Sequence, residues 1–275
     1  ATVNPTDIGF RTGYRGGQFE GYPPPYVSGM EFAGTVDAVG PGADWRIGDQ
    51  VAAITSPFPA GRGGQAELVV VPADSAVRVP RGVTLAQAAT LPMNGLTVRR
   101  ALDLLGLSPG DTLGVTGAAG AVGGYAVQMA AAEGIRVVAV AGAGDEELVR
   151  SLGAEVFVPR GDTVAQGIRQ AVPAGVDGLI DAALIGPPIL AAVKDGGGIA
   201  AVRPFGGESE RGINVSLVRV TDYRTDRGRL DQLVRLVEEG KLTLRVAETF
   251  PPERAAEAHR RFEAGGVRGR LVIVF

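Results

Sequence analysis

Residues 111 to 142, DTLGVTGAAGAVGGYAVQMAAAEGIRVVAVAG, constrain this chain more than any other stretch. An apolar run, Leu113 to Thr116, meets Gly117, Gly120 and Gly123, spaced G-x-x-G-x-x-G. A helix-like run from Tyr125 to Glu133 follows, then a β-branched run from Val137 to Val140. Strand, glycine turn, helix and strand in that order make the βαβ unit that holds a dinucleotide pyrophosphate. The glycines let the backbone turn tightly, and the helix N-terminus turns free N–H groups toward the phosphates. A glycine triplet alone is a weak signal, because such turns also serve packing. The flanking strands and helix are what give it weight.

Ahead of this stretch, residues 1 to about 95 carry short β-type runs broken by glycine and proline. GMEFAGTVDAVG (29 to 40), DQVAAIT (49 to 55), GQAELVVVP (64 to 72) and SAVRVP (75 to 80) read as strands of a small, barrel-like antiparallel domain. TLAQAATLP (84 to 92) and TVRRALDLLG (97 to 106) read as helices, with Thr84 as N-cap and Gly106 as stop. After it, the chain alternates. Helices are expected at 145 to 154, 163 to 172 and ILAAVKDGG (189 to 197), and strands at 155 to 159, 175 to 184, 198 to 205 and 212 to 220. That order implies a mostly parallel sheet covered by helices on both faces. Two amphipathic helices, 229 to 242 and 251 to 266, precede a closing strand, RLVIVF.

A formal net charge of −3 gives no sign of a nucleic-acid or anionic-membrane partner. No apolar run approaches the ~20 residues of a membrane span. There is no cysteine and a single histidine, His259, so disulfides and thiolate catalysis are out and a zinc site lacks its ligands. The expectation is a metal-free, cytoplasmic protein.

Several motifs then line up in one order: VNPTD (3 to 7), Arg11-x-Gly13, GMEFAGTVDAVG, GDQV, Gly95-Leu96-Thr97, GAAGAVGGYAVQMA, VRSLGAE, EEGKL and GVRGRLVIV. Together they resemble the medium-chain dehydrogenase/reductase superfamily, in its zinc-independent quinone oxidoreductase (zeta-crystallin-like) branch, over nearly the whole chain. The resemblance implies an α/β protein: a GroES-like β domain from 1–96 and 223–275, and a Rossmann doubly wound parallel sheet domain from 97–222, with the active site in the cleft between them. It also implies that the family's opening strand lies ahead of Ala1. Zinc-dependent relatives carry a histidine where this chain has Met30 and a cysteine within the stretch Asn4-Pro5-Thr6-Asp7, so both ligands are replaced.

By the same resemblance, Asn4 and Thr97 lie near the nicotinamide, and Tyr14 supplies a phenol by the substrate, with water as the other proton source. Gly117, Ala118, Gly120, Ala121, Val122 and Gly123 form the pyrophosphate turn. Phe205, in the loop 203 to 212, lines the acceptor pocket, and Arg270 approaches the cofactor phosphates. Asp7 is read as a structural hydrogen-bond acceptor, and Tyr125 and His259 as packing residues. The second strand ends at Val140-Ala141-Gly142 without the acid that would favour NADH, so NADPH is expected with NADH left open. Asp145 opposes a 2′-phosphate there, and Arg160 is the candidate to bind it. The implied reaction is hydride transfer to a quinone or enone by a homodimer. An enoyl-thioester reductase and a non-enzymatic nucleotide-binding module are the alternatives.

Overall fold

The computed structural model describes residues 1–13, 21–58 and 62–275, which form two compact units. Unit 1 comprises Ala1–Leu96 and Thr221–Phe275, and unit 2 comprises Thr97–Val220.

Unit 1 begins with a short helix, α1 (Pro5–Arg11), started by a proline at its first position, where no N–H is needed. Strands β1 (Glu31–Thr35), β2 (Gln50–Ile54) and β3 (Ala76–Arg78) form an antiparallel sheet in that order. Helix α2 (Leu85–Ala88) starts at Thr84, whose Oγ1 accepts from the Gln87 N–H while the Gln87 side chain accepts from the Thr84 N–H. This capping box satisfies two donors that the helix leaves open. Helix α3 (Pro92–Leu105) runs on from there and ends at Gly106, whose φ of +60° stops it.

Unit 2 is a six-stranded parallel sheet. Its strands are β4 (Thr112–Thr116), β5 (Arg136–Ala141), β6 (Val156–Pro159), β7 (Val176–Asp181), β8 (Val193–Ala201) and β9 (Asn214–Leu217). They lie in the order β6-β5-β4-β7-β8-β9. Order reverses between β4 and β7, and that switch point is where doubly wound sheets open a crevice at the carboxyl ends of the strands. Helices α4 (Ala121–Ala132), α5 (Glu146–Ser151) and α6 (Val164–Ala171) make the crossovers from β4 to β5, β5 to β6 and β6 to β7. All five residues of β4 are buried, and Leu179, Ile189, Ile199 and Ile168 are fully enclosed in the core. Each such side chain contributes about 1.5–3 kcal/mol on burial.

The chain then returns to unit 1 through α7 (Arg227–Glu238), β10 (Val246–Phe250), α8 (Ala255–Glu263) and β11 (Arg270–Ile273). Strands β10 and β11 pair in parallel, and residues 1 to 3 run antiparallel along β11 through Thr2 and Val272.

Three expectations need correction. Residues 64 to 72 form no strand: Leu68 is 75% and Val70 98% exposed, and this β-branched run lacks a partner among the described residues. It flanks an apolar groove of about 750 Å³ within unit 1, shared with Trp45, Phe32 and Phe275, and none of the expected site residues among those described lines it. The strands of unit 1 make two separate sheets, not one closed barrel, among the described residues. Residues 189 to 197 are not an α-helix. A 3₁₀ turn (Pro187–Ala192) leads directly into β8, where Val193 pairs with Val176. The carbonyls of Leu190, Ala191 and Val193 accept instead from the guanidinium groups of Arg169 and Arg211, partners that local spacing cannot reveal.

Candidate active site

The glycine turn sits at the carboxyl end of β4, on the switch point of the sheet. Gly117 adopts φ +63° and the Gly120 N–H donates to its carbonyl at 2.9 Å, closing the turn. Gly120 is the N-cap of α4, so Ala121, Val122 and Gly123 form its first turn, whose N–H groups lack intrahelical acceptors. Their dipoles add to the partial positive charge at the helix start. A Cβ on Gly123 would lie 2.2 Å from the Gly117 carbonyl oxygen, so glycine here is what lets the helix press onto the strand end. The Ala118 N–H donates to the Val140 carbonyl, so Ala118 fastens the turn to β5.

Across the switch point stands a pair that the sequence reading did not single out. Thr116 and Asp181 are register partners on β4 and β7, and the Thr116 hydroxyl donates to Asp181 Oδ1 at 2.7 Å. Asp181 also accepts from the Ile185 and Gly186 N–H groups, and Thr116 Oγ1 accepts from the Ala183 N–H. The loop 182 to 186 is thereby fixed against the glycine turn: a Cβ on Gly117 would stand 3.3 Å from the Ala183 nitrogen. A carboxylate ending a buried apolar strand was the available signal.

At the end of β5, the Ala141 carbonyl accepts from the Arg160 N–H at 2.7 Å. A Cβ on Gly142 would lie 2.8 Å from Asp145 Oδ2 and 3.8 Å from Arg160 Nε. The two residues of opposite sign therefore flank one point at the edge of the sheet. Phe205 is half-buried and packs on the unit 2 core.

The remaining expected residues belong to other elements. Thr97 is buried within α3. Tyr14 lies outside the described residues. Asn4 and Arg270 meet in the interior of unit 1. One Arg270 Nη donates to Thr2 Oγ1, Asn4 Oδ1 and Glu31 Oε1, each at 2.6 Å, while Asn4 Nδ2 donates to Thr2 Oγ1. Glu31 is fully buried, and its second oxygen accepts the Met93 N–H near the start of α3. Arg270 is thus the counter-ion of Glu31, and Asn4 has both ends of its amide engaged. Glu31, the hub of this network, went unnoticed in the sequence. His259 is buried in α8, where desolvation and then Arg11 hold its pKa below 6.5. Tyr125 is buried in α4.

Asp7 is an acceptor, as its position suggested. Its carboxylate takes N–H groups of Asn4 and Gly29, each at 2.8 Å. Burial nevertheless pushes its pKa from 3.8 up to about 6, against the opposing pull of these bonds and of Arg270. The folded chain therefore keeps a proton between about pH 4 and 6 that the unfolded chain gives up. Stability falls as pH rises through that window, by roughly 3 kcal/mol at most. Urea unfolding from pH 4 to 7.5 is expected to show this slope, and Asp7→Asn to flatten it. A slope unchanged in Asp7→Asn assigns it to other groups.

The turn, the open first turn of α4 and the polar pair at Gly142 fit a dinucleotide, which needs close backbone approach at its pyrophosphate and polar groups at its ribose. Among the described residues, no three His, Cys, Asp or Glu side chains cluster as metal ligands, and no helix is long and apolar enough to cross a membrane.

Comparison with known proteins agrees with this architecture. Residues 1–81 match the alcohol dehydrogenase GroES-like domain, and residues 152–273 match the zinc-binding dehydrogenase family. A probable zinc-binding oxidoreductase, mitochondrial, of Arthroderma benhamiae is 30% identical over 90% of this chain and 79% of its own length. Polyketide synthase GfsB of Streptomyces halstedii is 33% identical over 92% of this chain, which spans only 5% of that protein. Among solved structures, the quinone oxidoreductase from Coxiella burnetii superposes with a TM-score of 0.82 at 27% identity, covering 99% of this chain and 87% of that one. Mycobacterial Rv1454c, complexed with NADPH, gives 0.86 at 26% identity, covering 100% of this chain and 89% of that one. The chain belongs to the medium-chain dehydrogenase/reductase superfamily, in its quinone oxidoreductase branch.

Proposed function

We propose that this chain is an NADPH-dependent reductase that passes hydride to the carbon of a conjugated acceptor, a quinone or an enone, without zinc. The observation that carries the cofactor choice is the Arg160 guanidinium beside Gly142, where the second strand ends without an acid. There it meets a 2′-phosphate, while Asp145 accepts from the neighbouring ribose hydroxyl. When bound, the reduced nicotinamide supplies the hydride. The chain's part is to fix the pyrophosphate on the turn at Gly117 and the first turn of α4, through N–H groups already oriented before binding. A conjugated acceptor suits a chain with no cysteine and one interior histidine, because charge spreads onto a distant oxygen and no Lewis acid is needed.

The test is NADPH and NADH oxidation against a panel of quinones, enones and enoyl thioesters, followed by absorbance. Faster turnover of quinones or enones with NADPH supports the reading; turnover of alcohols or aldehydes alone overturns it. Arg160→Ala is expected to weaken NADPH about tenfold or more while leaving NADH nearly unchanged. Equal losses for both would remove Arg160 from the phosphate. The likeness to a polyketide synthase over 92% of the chain favours one second reading, an enoyl-thioester reductase. Turnover confined to the thioesters would select it.

A further inference from the structure

Two non-glycine residues among those described have a left-handed backbone, Leu184 at φ +60° and Arg211 at φ +50°. Arg211 has a visible reason: its guanidinium holds the Leu190 and Val193 carbonyls and pairs with Asp195. Leu184 has no side-chain hydrogen bonds of this kind; its backbone is held by the bonds of its neighbours. Its branched side chain is disfavoured in this conformation, and it stands 54% exposed, outside the core. The loop around it is nevertheless held firmly. Asp181 accepts from Ile185 and Gly186 on one side of Leu184, and Thr116 accepts from Ala183 on the other. This loop therefore holds an exposed apolar residue in a strained pose one residue from the contact with Gly117.

The strand order says which part of a ligand would reach it. With β6-β5-β4-β7 as neighbours, the polar pair at Gly142 lies at the end of β5 and the pyrophosphate turn at the end of β4. A dinucleotide with its adenosine over β5 and its pyrophosphate over β4 continues across the carboxyl end of β7, where residues 182 to 186 begin. We propose that Leu184 is a cofactor contact, the apolar surface on which the nicotinamide half of the dinucleotide rests. Asp181 and Thr116 act through it, as positioning residues that hold its backbone in place. This rests on the dinucleotide reading above.

Leu184→Gly and Leu184→Asn both tolerate the left-handed backbone and remove the apolar surface. Each is expected to weaken NADPH about tenfold, the loss of part of a leucine's burial. Binding of 2′,5′-ADP, which carries only the adenosine half, is expected to stay unchanged, and the melting temperature to hold or rise. Calorimetric titration of both ligands with the intact chain reads all of this without turnover. If the variants bind NADPH as tightly as the parent, Leu184 is no contact. If NADPH and 2′,5′-ADP weaken together, the loop acts on the whole site and the assignment to the nicotinamide half fails. If the parent binds neither ligand, the dinucleotide reading itself is wrong and the proposal goes with it.

Discussion

Gly123→Ala is expected to lower the melting temperature by roughly 10 °C and to abolish dinucleotide binding. The added methyl carbon would sit 2.2 Å from the Gly117 oxygen, 2.7 Å from the Gly117 carbonyl carbon and 2.8 Å from Ala118 Cα. All three are backbone atoms, and Ala118 is tied to β5 through the Val140 carbonyl, so nothing nearby can rotate away. Relief requires α4 to lift off the end of β4, which opens the closed turn and turns the first N–H groups of the helix away from the phosphates. The steric cost is about 3 kcal/mol, a large share of the margin on which most domains fold. A thermal melt with an NADPH titration checks both parts. An unchanged melt with binding intact would contradict the close approach of helix and strand.

Arg270→Met is expected to cost about 3–5 kcal/mol of stability, because it leaves the Glu31 carboxylate buried without its counter-ion. The Arg270 side chain is 6% exposed and that of Glu31 0%, so water cannot replace the lost partner without opening the interior. The damage extends beyond one pair. The same guanidinium nitrogen holds Thr2 and Asn4, and Glu31 caps the start of α3 through the Met93 N–H. Arg270→Met with Glu31→Gln removes both charges, and most of the lost stability is expected to return. Urea unfolding of the two single variants and the double gives the coupling. If the double variant is as unstable as the sum of the singles, the pair does not act as one charge-balanced unit.

Legibility in the sequence followed how local the deciding interactions are. The βαβ stretch was readable because its strands are almost entirely buried and mostly apolar, and its glycines mark a turn that few other residues can make. Thr84 and Gly106 were readable as helix ends, since a cap is decided within one turn. The helix after the glycine turn was expected from Tyr125 but begins at Ala121, because Gly123 and Gly124 in its opening residues read as a turn in the sequence. Residues 189 to 197 were misread because apolar spacing is ambiguous when pairing with β7 and two distant arginines decide the backbone. Arg270 drew attention as a cation in a terminal motif, and its pairing with Glu31, 239 positions away, is invisible to local spacing. The Thr116–Asp181 pair escaped for the same reason: only strand register brings residues 65 positions apart into contact.

A dinucleotide held on the glycine turn is expected to give its hydride to the carbon of a conjugated acceptor. Reduction of an enone with NADPH deuterated at the transferred position, with the product analysed by NMR, tests it most directly. Deuterium on the carbon β to an intact carbonyl is the predicted result. Deuterium on the carbonyl carbon of an allylic alcohol would contradict it.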